Sequence, residues 1–126
     1  MKLHITIMIL ILLTFLHGLS YAQCENPRDD FDNLYCLNKI YVQADKDLNT
    51  SYQTLKKVID EEGKILLQKS QLRWIEQRNN QCSFMKDGMF FVSLKCASDT
   101  TIERTNFLND RYRECISSGC LKNKLK

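Results

Sequence analysis

Between Cys36 and Cys82 the hydrophobic positions recur at alternating steps of four and three. Leu37, Tyr41, Ala44, Leu48, Ser51, Leu55 and Val58 follow this spacing, which places them on one stripe of an α-helix. The positions between them, among them Lys39, Gln43, Asp47, Lys56, Lys57 and Asp60, are polar, as the solvated face of an amphipathic helix requires. Leu67, Ser70, Trp74 and Arg78 repeat the pattern over a shorter length. Gly63, after the acidic run Asp60-Glu61-Glu62, is the strong breaker between the two runs. The spacing predicts a first helix over 30–61, a second ending near Cys82, and an antiparallel hairpin folded at Gly63. Trp74, the only tryptophan, is expected to anchor the core against the first helix.

The same periodicity returns after Cys96. Thr101, Arg104, Leu108, Arg111 and Cys115 predict a third helix from Cys96 to about residue 115, with Asp99 and Thr100 as cap candidates. Phe107 and Leu108 would close it onto the hairpin. The expected fold class is therefore all-α: an antiparallel helical hairpin plus a third helix, a small disulfide-stabilised bundle. Upstream, Asp29, Asp30 or Asp32 can cap the first helix, and their charge suits its positive end. The basic tail LKNKLK after Gly119 is expected to fray.

Residues 83–95, SFMKDGMFFVSLK, are the longest stretch without helical spacing, with a turn expected at Asp87-Gly88. Phe84, Met85, Met89, Phe90 and Phe91 crowd around that turn. The expectation is that most of them are buried at the open end of the hairpin. The competing reading is an exposed recognition loop with Lys86, Gly88, Met89, Phe90, Phe91 and Lys95 as the partner-binding residues.

Composition changes the picture at the N-terminus. Lys2, the twelve-residue run Ile5–Leu16 broken only by Thr6 and Thr14, and the small-residue site Ser20-Tyr21-Ala22 predict a signal peptide over residues 1–22. Twelve apolar residues span only about 18 Å of a roughly 30 Å hydrocarbon core, so no stable membrane span is expected after signal removal. Residues 23–126 then form a single exported domain, periplasmic or secreted. Without Lys2, 17 basic residues face 15 acidic ones, which is no nucleic-acid footprint.

Both histidines, His4 and His17, lie in the signal segment. The rest of the chain has no Ser-His or Cys-His nucleophile pair and no imidazole metal ligand. No catalytic, cofactor or metal residues are assigned. Six cysteines, Cys24, Cys36, Cys82, Cys96, Cys115 and Cys120, contain no C-x-x-C pair and read as three disulfides in an exported chain. A direct Cys36–Cys82 bridge would join helix ends about 12 Å apart, beyond the roughly 7 Å a disulfide spans. The local pairs Cys24–Cys36, Cys82–Cys96 and Cys115–Cys120 fit better.

Taken together, Cys24 and Cys36, Ala44-Asp45, Leu48-Asn49, Tyr52, Gln71, Trp74, Arg78, Cys82, Gly88, Cys96, Thr101, Arg104 and Leu108 occur in an order that resembles the lysozyme-inhibitor LprI-like family of small exported bacterial proteins. Ser70, Asn79 and Met89 depart from its pattern, and Cys115 and Cys120 are additional to it. The resemblance implies a helical periplasmic or secreted protein, at least one relative of which inhibits lysozyme, with a lysozyme or another cell-wall hydrolase as the candidate protein partner. The motif residues Ala44, Asp45, Leu48, Asn49, Tyr52, Gln71, Trp74 and Arg78 read as structural, with Gln71 and Arg78 expected to pair with Asp45 or Asn49 across the hairpin. Three readings stay open: a protein that binds and occludes such a hydrolase, with Lys86 or Lys95 meeting a carboxylate; a non-enzymatic adaptor of the envelope; and, ranked last, an enzyme. Without histidine an enzyme needs a carboxylate pair or an activated thiol, which no spacing here signals.

Overall fold

The computed structural model describes residues 26–126. Its elements in order are α1 (Asp30–Lys56), α2 (Glu61–Cys82), β1 (Ser83–Lys86), β2 (Met89–Val92) and α3 (Leu94–Ser118), followed by a short 3-10 turn at Lys122–Lys124. Two compact units divide the chain, one up to Asn38 and the other Lys39–Lys126.

In the first unit Asp29 starts α1: its Oδ1 accepts from the Asp32 backbone N–H at 2.8 Å. Arg28, itself exposed, pairs with the partly covered Asp32 at 2.6 Å and holds the Asp32 carboxyl below the usual carboxylate range. Such an exposed pair adds little to stability. Cys36 is disulfide-bonded; the expected Cys24–Cys36 pairing and the signal segment lie outside the described residues.

In the second unit the helical stripe is as expected along most of its length. Ala44, Leu48, Ser51 and Leu55 of α1 are buried, and Leu48, Leu55, Ile59, Leu67, Leu108 and Leu125 form one core. Tyr52, Trp74 and Phe107 are partly buried against it. The helix stops at Lys56 instead of running to residue 61, so Val58 turns outward (41 % exposed) and Ile59 takes its place in the core (6 %).

The break is made by Asp60, not Gly63. Asp60 is the N-cap of α2, and its Oδ1 accepts from Gly63 N–H at 2.7 Å. Glu61 and Glu62 follow in the first turn, where the helix dipole favours negative charge. Gly63 lies inside α2 because a Cβ there would stand 3.2 Å from Ile59 Cβ and 3.3 Å from Leu125 Cδ1. Glycine serves close packing at this position. The tail does not fray: Leu125 is 1 % exposed, and Lys122 pairs with Asp60 at 2.9 Å and also with Glu62.

The third helix starts two residues earlier than predicted and is capped by Ser93, whose Oγ accepts from Cys96 N–H at 3.3 Å. Asp99, a predicted cap, instead pairs with Lys95 at 2.7 Å. Helices α2 and α3 run antiparallel, tied by the Cys82–Cys96 bridge at one end and by Arg104 donating to Ser70 further along; Ser70, Ala97, Ser98 and Thr101 are all buried. The local bridges Cys82–Cys96 and Cys115–Cys120 are both formed, with Cα atoms 5.4 and 4.1 Å apart. Among the described residues no helix is long and apolar enough to cross a membrane.

Candidate functional site

The stretch expected as a loop is a β-hairpin. Its strands pair antiparallel in the register Ser83↔Val92, Phe84↔Phe91, Met85↔Phe90 and Lys86↔Met89. Asp87 and Gly88 join them with φ of +51° and +76°, the left-handed pair that a two-residue turn uses to match strand twist. Asp87 tolerates this region better than most residues, and Gly88 adopts it without strain.

Because side chains alternate along a strand, the register puts Phe84, Lys86, Met89 and Phe91 on one face of the ribbon. Ser83, Met85, Phe90 and Val92 share the other. Both faces are apolar, and both are in solvent. Phe90 is 66 % exposed, Met85 64 %, Met89 58 % and Phe84 55 %, which overturns the expectation that most of this cluster is core. The Phe84 and Phe91 rings stack at 5.3 Å, so that face is stiffened by its own side chains. A soluble chain rarely leaves large apolar groups contiguous in water unless they meet a partner.

The foot of the ribbon is fixed. Cys82, immediately before β1, is bonded to Cys96 in the first turn of α3, and Ser93 N–H donates to Cys82 O at 2.8 Å. Among the described residues the sheet has two strands, with no third strand on either edge. Of the two candidate lysines, Lys95 lies on α3 and is held by Asp99. Lys86 is beside the turn at the tip and makes no ion pair among the described residues.

The motif residues are placed differently from expectation. Asn49 Nδ2 donates to Asp45 within α1, to the backbone O at 2.9 Å and to Oδ2 at 3.1 Å. Arg78 donates to Asn79 Oδ1 and lies 5.0 Å from the Trp74 ring and 5.8 Å from that of Tyr41. Gln71 accepts from Arg104 Nε at 3.0 Å. The cross-hairpin pairs of Gln71 and Arg78 with Asp45 or Asn49 are therefore not formed; the side chains of α2 turn to α3 and to aromatic faces. Trp74 is partly buried against the core cluster, with Arg78 and Arg104 over its ring.

Arg104 is the functional candidate that the spacing did not single out. It is 9 % exposed, and its Nη2 donates to Ser70 Oγ at 3.0 Å. Burial lowers its pKa to about 10, with Tyr52 acting weakly the other way. Its signal in the sequence was a charged residue on the apolar stripe of the third helix, a position it shares with Arg111.

Among the described residues no group of His, Cys, Asp or Glu is placed to hold a metal ion. The fold and the site define a disulfide-braced helical scaffold that carries a projecting apolar ribbon. The family model of the lysozyme inhibitor LprI matches residues 24–108, and the chain belongs to that family. The match takes in the whole hairpin and ends at Leu108; the Cys115–Cys120 bridge and Leu125 lie beyond it. No curated protein and no solved structure matches the chain.

Proposed function

We propose that this is an exported, non-enzymatic protein, with residues 1–22 as its leader and 23–126 as one LprI-like domain. It inserts the 83–92 hairpin into the substrate cleft of a lysozyme or related cell-wall hydrolase. The observation that carries this is the ribbon with two exposed apolar faces, braced at its foot by the Cys82–Cys96 bridge. A cleft-filling element must be narrow, stiff and apolar on both sides, because it meets both walls. Lys86 at the tip supplies the cation for the carboxylate pair that glycoside hydrolases carry. Family membership supports a protein partner of this class. Disulfides suit an oxidising compartment outside the cytosol.

The net positive charge gives poor steering toward a hydrolase that is itself cationic. That observation favours, as the second reading, an envelope adaptor that uses the same ribbon on another protein. Titrating the purified protein into lysozymes of several types acting on cell walls separates the two. Saturable inhibition of at least one type supports occlusion, and flat curves across the panel support the adaptor.

A further inference from the structure

Beside the foot of the hairpin, α2 and α3 leave an open cleft of about 300 Å³, lined by Trp74, Arg78, Glu103 and Arg104, with Gln81 and Thr100 at the end near Cys82. Its basic groups have an unusual partner set. Arg104 is nine-tenths buried, yet its hydrogen bonds go to two neutral acceptors, Gln71 Oε1 and Ser70 Oγ. Its guanidinium otherwise meets aromatic faces, Phe107 at 4.7 Å and Trp74 at 6.0 Å. Arg78 donates only to the amide oxygen of Asn79. Neither arginine forms an ion pair among the described residues. Each guanidinium has five N–H donors, of which these bonds use two, and no carboxylate among the described residues answers its charge.

We propose that this cleft is a carboxylate-binding site, with Arg104 and Arg78 as the donors and Trp74 as the wall on which the ligand stacks. Guanidinium groups match the planar, two-oxygen geometry of a carboxylate. The volume is at the lower end for ligand sites and suits one or two amino-acid residues rather than a large cofactor. Glu103 on the lining sets the charge: two arginines against one glutamate leave one net positive charge, which matches a monoanion better than a dianionic phosphate. The carboxylate comes either from a peptide C-terminus or from an Asp or Glu side chain. The site asks nothing of residues 83–92 and does not depend on the hairpin reading.

Trp74 is the only tryptophan, so its fluorescence reports this cleft directly. The test titrates three peptides into the intact protein: acetyl-Ala-Ala with a free C-terminus, the same peptide amidated, and amidated acetyl-Ala-Glu-Ala. The site predicts a saturable change with the free acid and none with its amide. A response to the Glu peptide as well identifies side-chain carboxylates as a second source, and silence from it restricts the site to chain termini. Arg78→Gln, at a half-exposed position, should weaken binding about tenfold or more, the effect of one lost charge-assisted pair, with circular dichroism unchanged. Glu103→Gln should tighten it. No saturable response to either carboxylate, or equal responses to the acid and its amide, would overturn the proposal.

Discussion

Leu125 packs against the Cα of Gly63, its Cδ1 only 3.3 Å from where a side chain on that glycine would begin. The contact joins the C-terminal turn to the first turn of α2 and puts a leucine from a basic, polar stretch among the six core residues. Leu125→Ala should therefore cost about 2–4 kcal/mol, the range for truncating a buried leucine. Urea denaturation checks this. A frayed tail would leave the midpoint where it was.

Lys122 closes the same junction electrostatically, reaching Asp60 and Glu62. Its hydrogen bond, with the Gly63 N–H, holds the Asp60 carboxyl below its ordinary value of 3.8. A depressed carboxylate contributes stability that is fully present above the unfolded value and lost as pH falls through the folded one. The Lys122 ammonium is raised above its ordinary 10.5, so its contribution is present below that value and lost as pH rises through the folded pKa. The C-terminal turn should accordingly loosen in acid below about pH 4. Amide exchange at Lys124 and Leu125, compared between the parent and Asp60→Asn, should show the larger acid loosening in the parent, with the pairs to Glu62 and Glu114 common to both.

The hairpin turn rests on two left-handed residues, and Gly88 at φ +76° is the one that a branched side chain fits worst. Gly88→Val should cost about 1–2 kcal/mol locally and blur the amide spectrum of residues 83–92. The α-helical circular dichroism should stay intact, because Asp87 and Gly88 are exposed at the tip of the ribbon. Asp87→Asn should be tolerated, since asparagine enters this region readily.

Much of the scaffold was legible. The four-and-three stripe of α1 is a property of the chain itself, and Ala44, Leu48, Ser51 and Leu55 are buried where it put them. The junction after α1 was misread because two signals compete there. A glycine after an acidic run reads as a breaker, but the run is a cap and first turn, and the glycine answers to a leucine some sixty residues downstream. That long-range contact leaves no local trace. The hairpin hid for a related reason. With apolar residues on both faces, the period of two that marks a strand is absent, although Asp-Gly between apolar flanks is a hairpin signal. Exposure was misjudged on the same residues, since an apolar cluster suggests core unless the fold offers it no cover. Arg104 was visible as a stripe position and as a residue of the family pattern; that its partners would be Ser70 and Gln71 depended on how α2 and α3 face each other.

The projecting ribbon is the centre of the functional account, and one titration reaches it most directly. The parent protein and a Lys86→Ala/Phe90→Ser variant are compared side by side for inhibition of the hydrolase that the parent blocks. Both substituted side chains lie on the hairpin outside the core, so helical circular dichroism should be the same in the two proteins. Loss of two interface anchors worth roughly 2 kcal/mol each should weaken inhibition by at least about a hundredfold. Equal inhibition by the two proteins would show that the partner is held elsewhere.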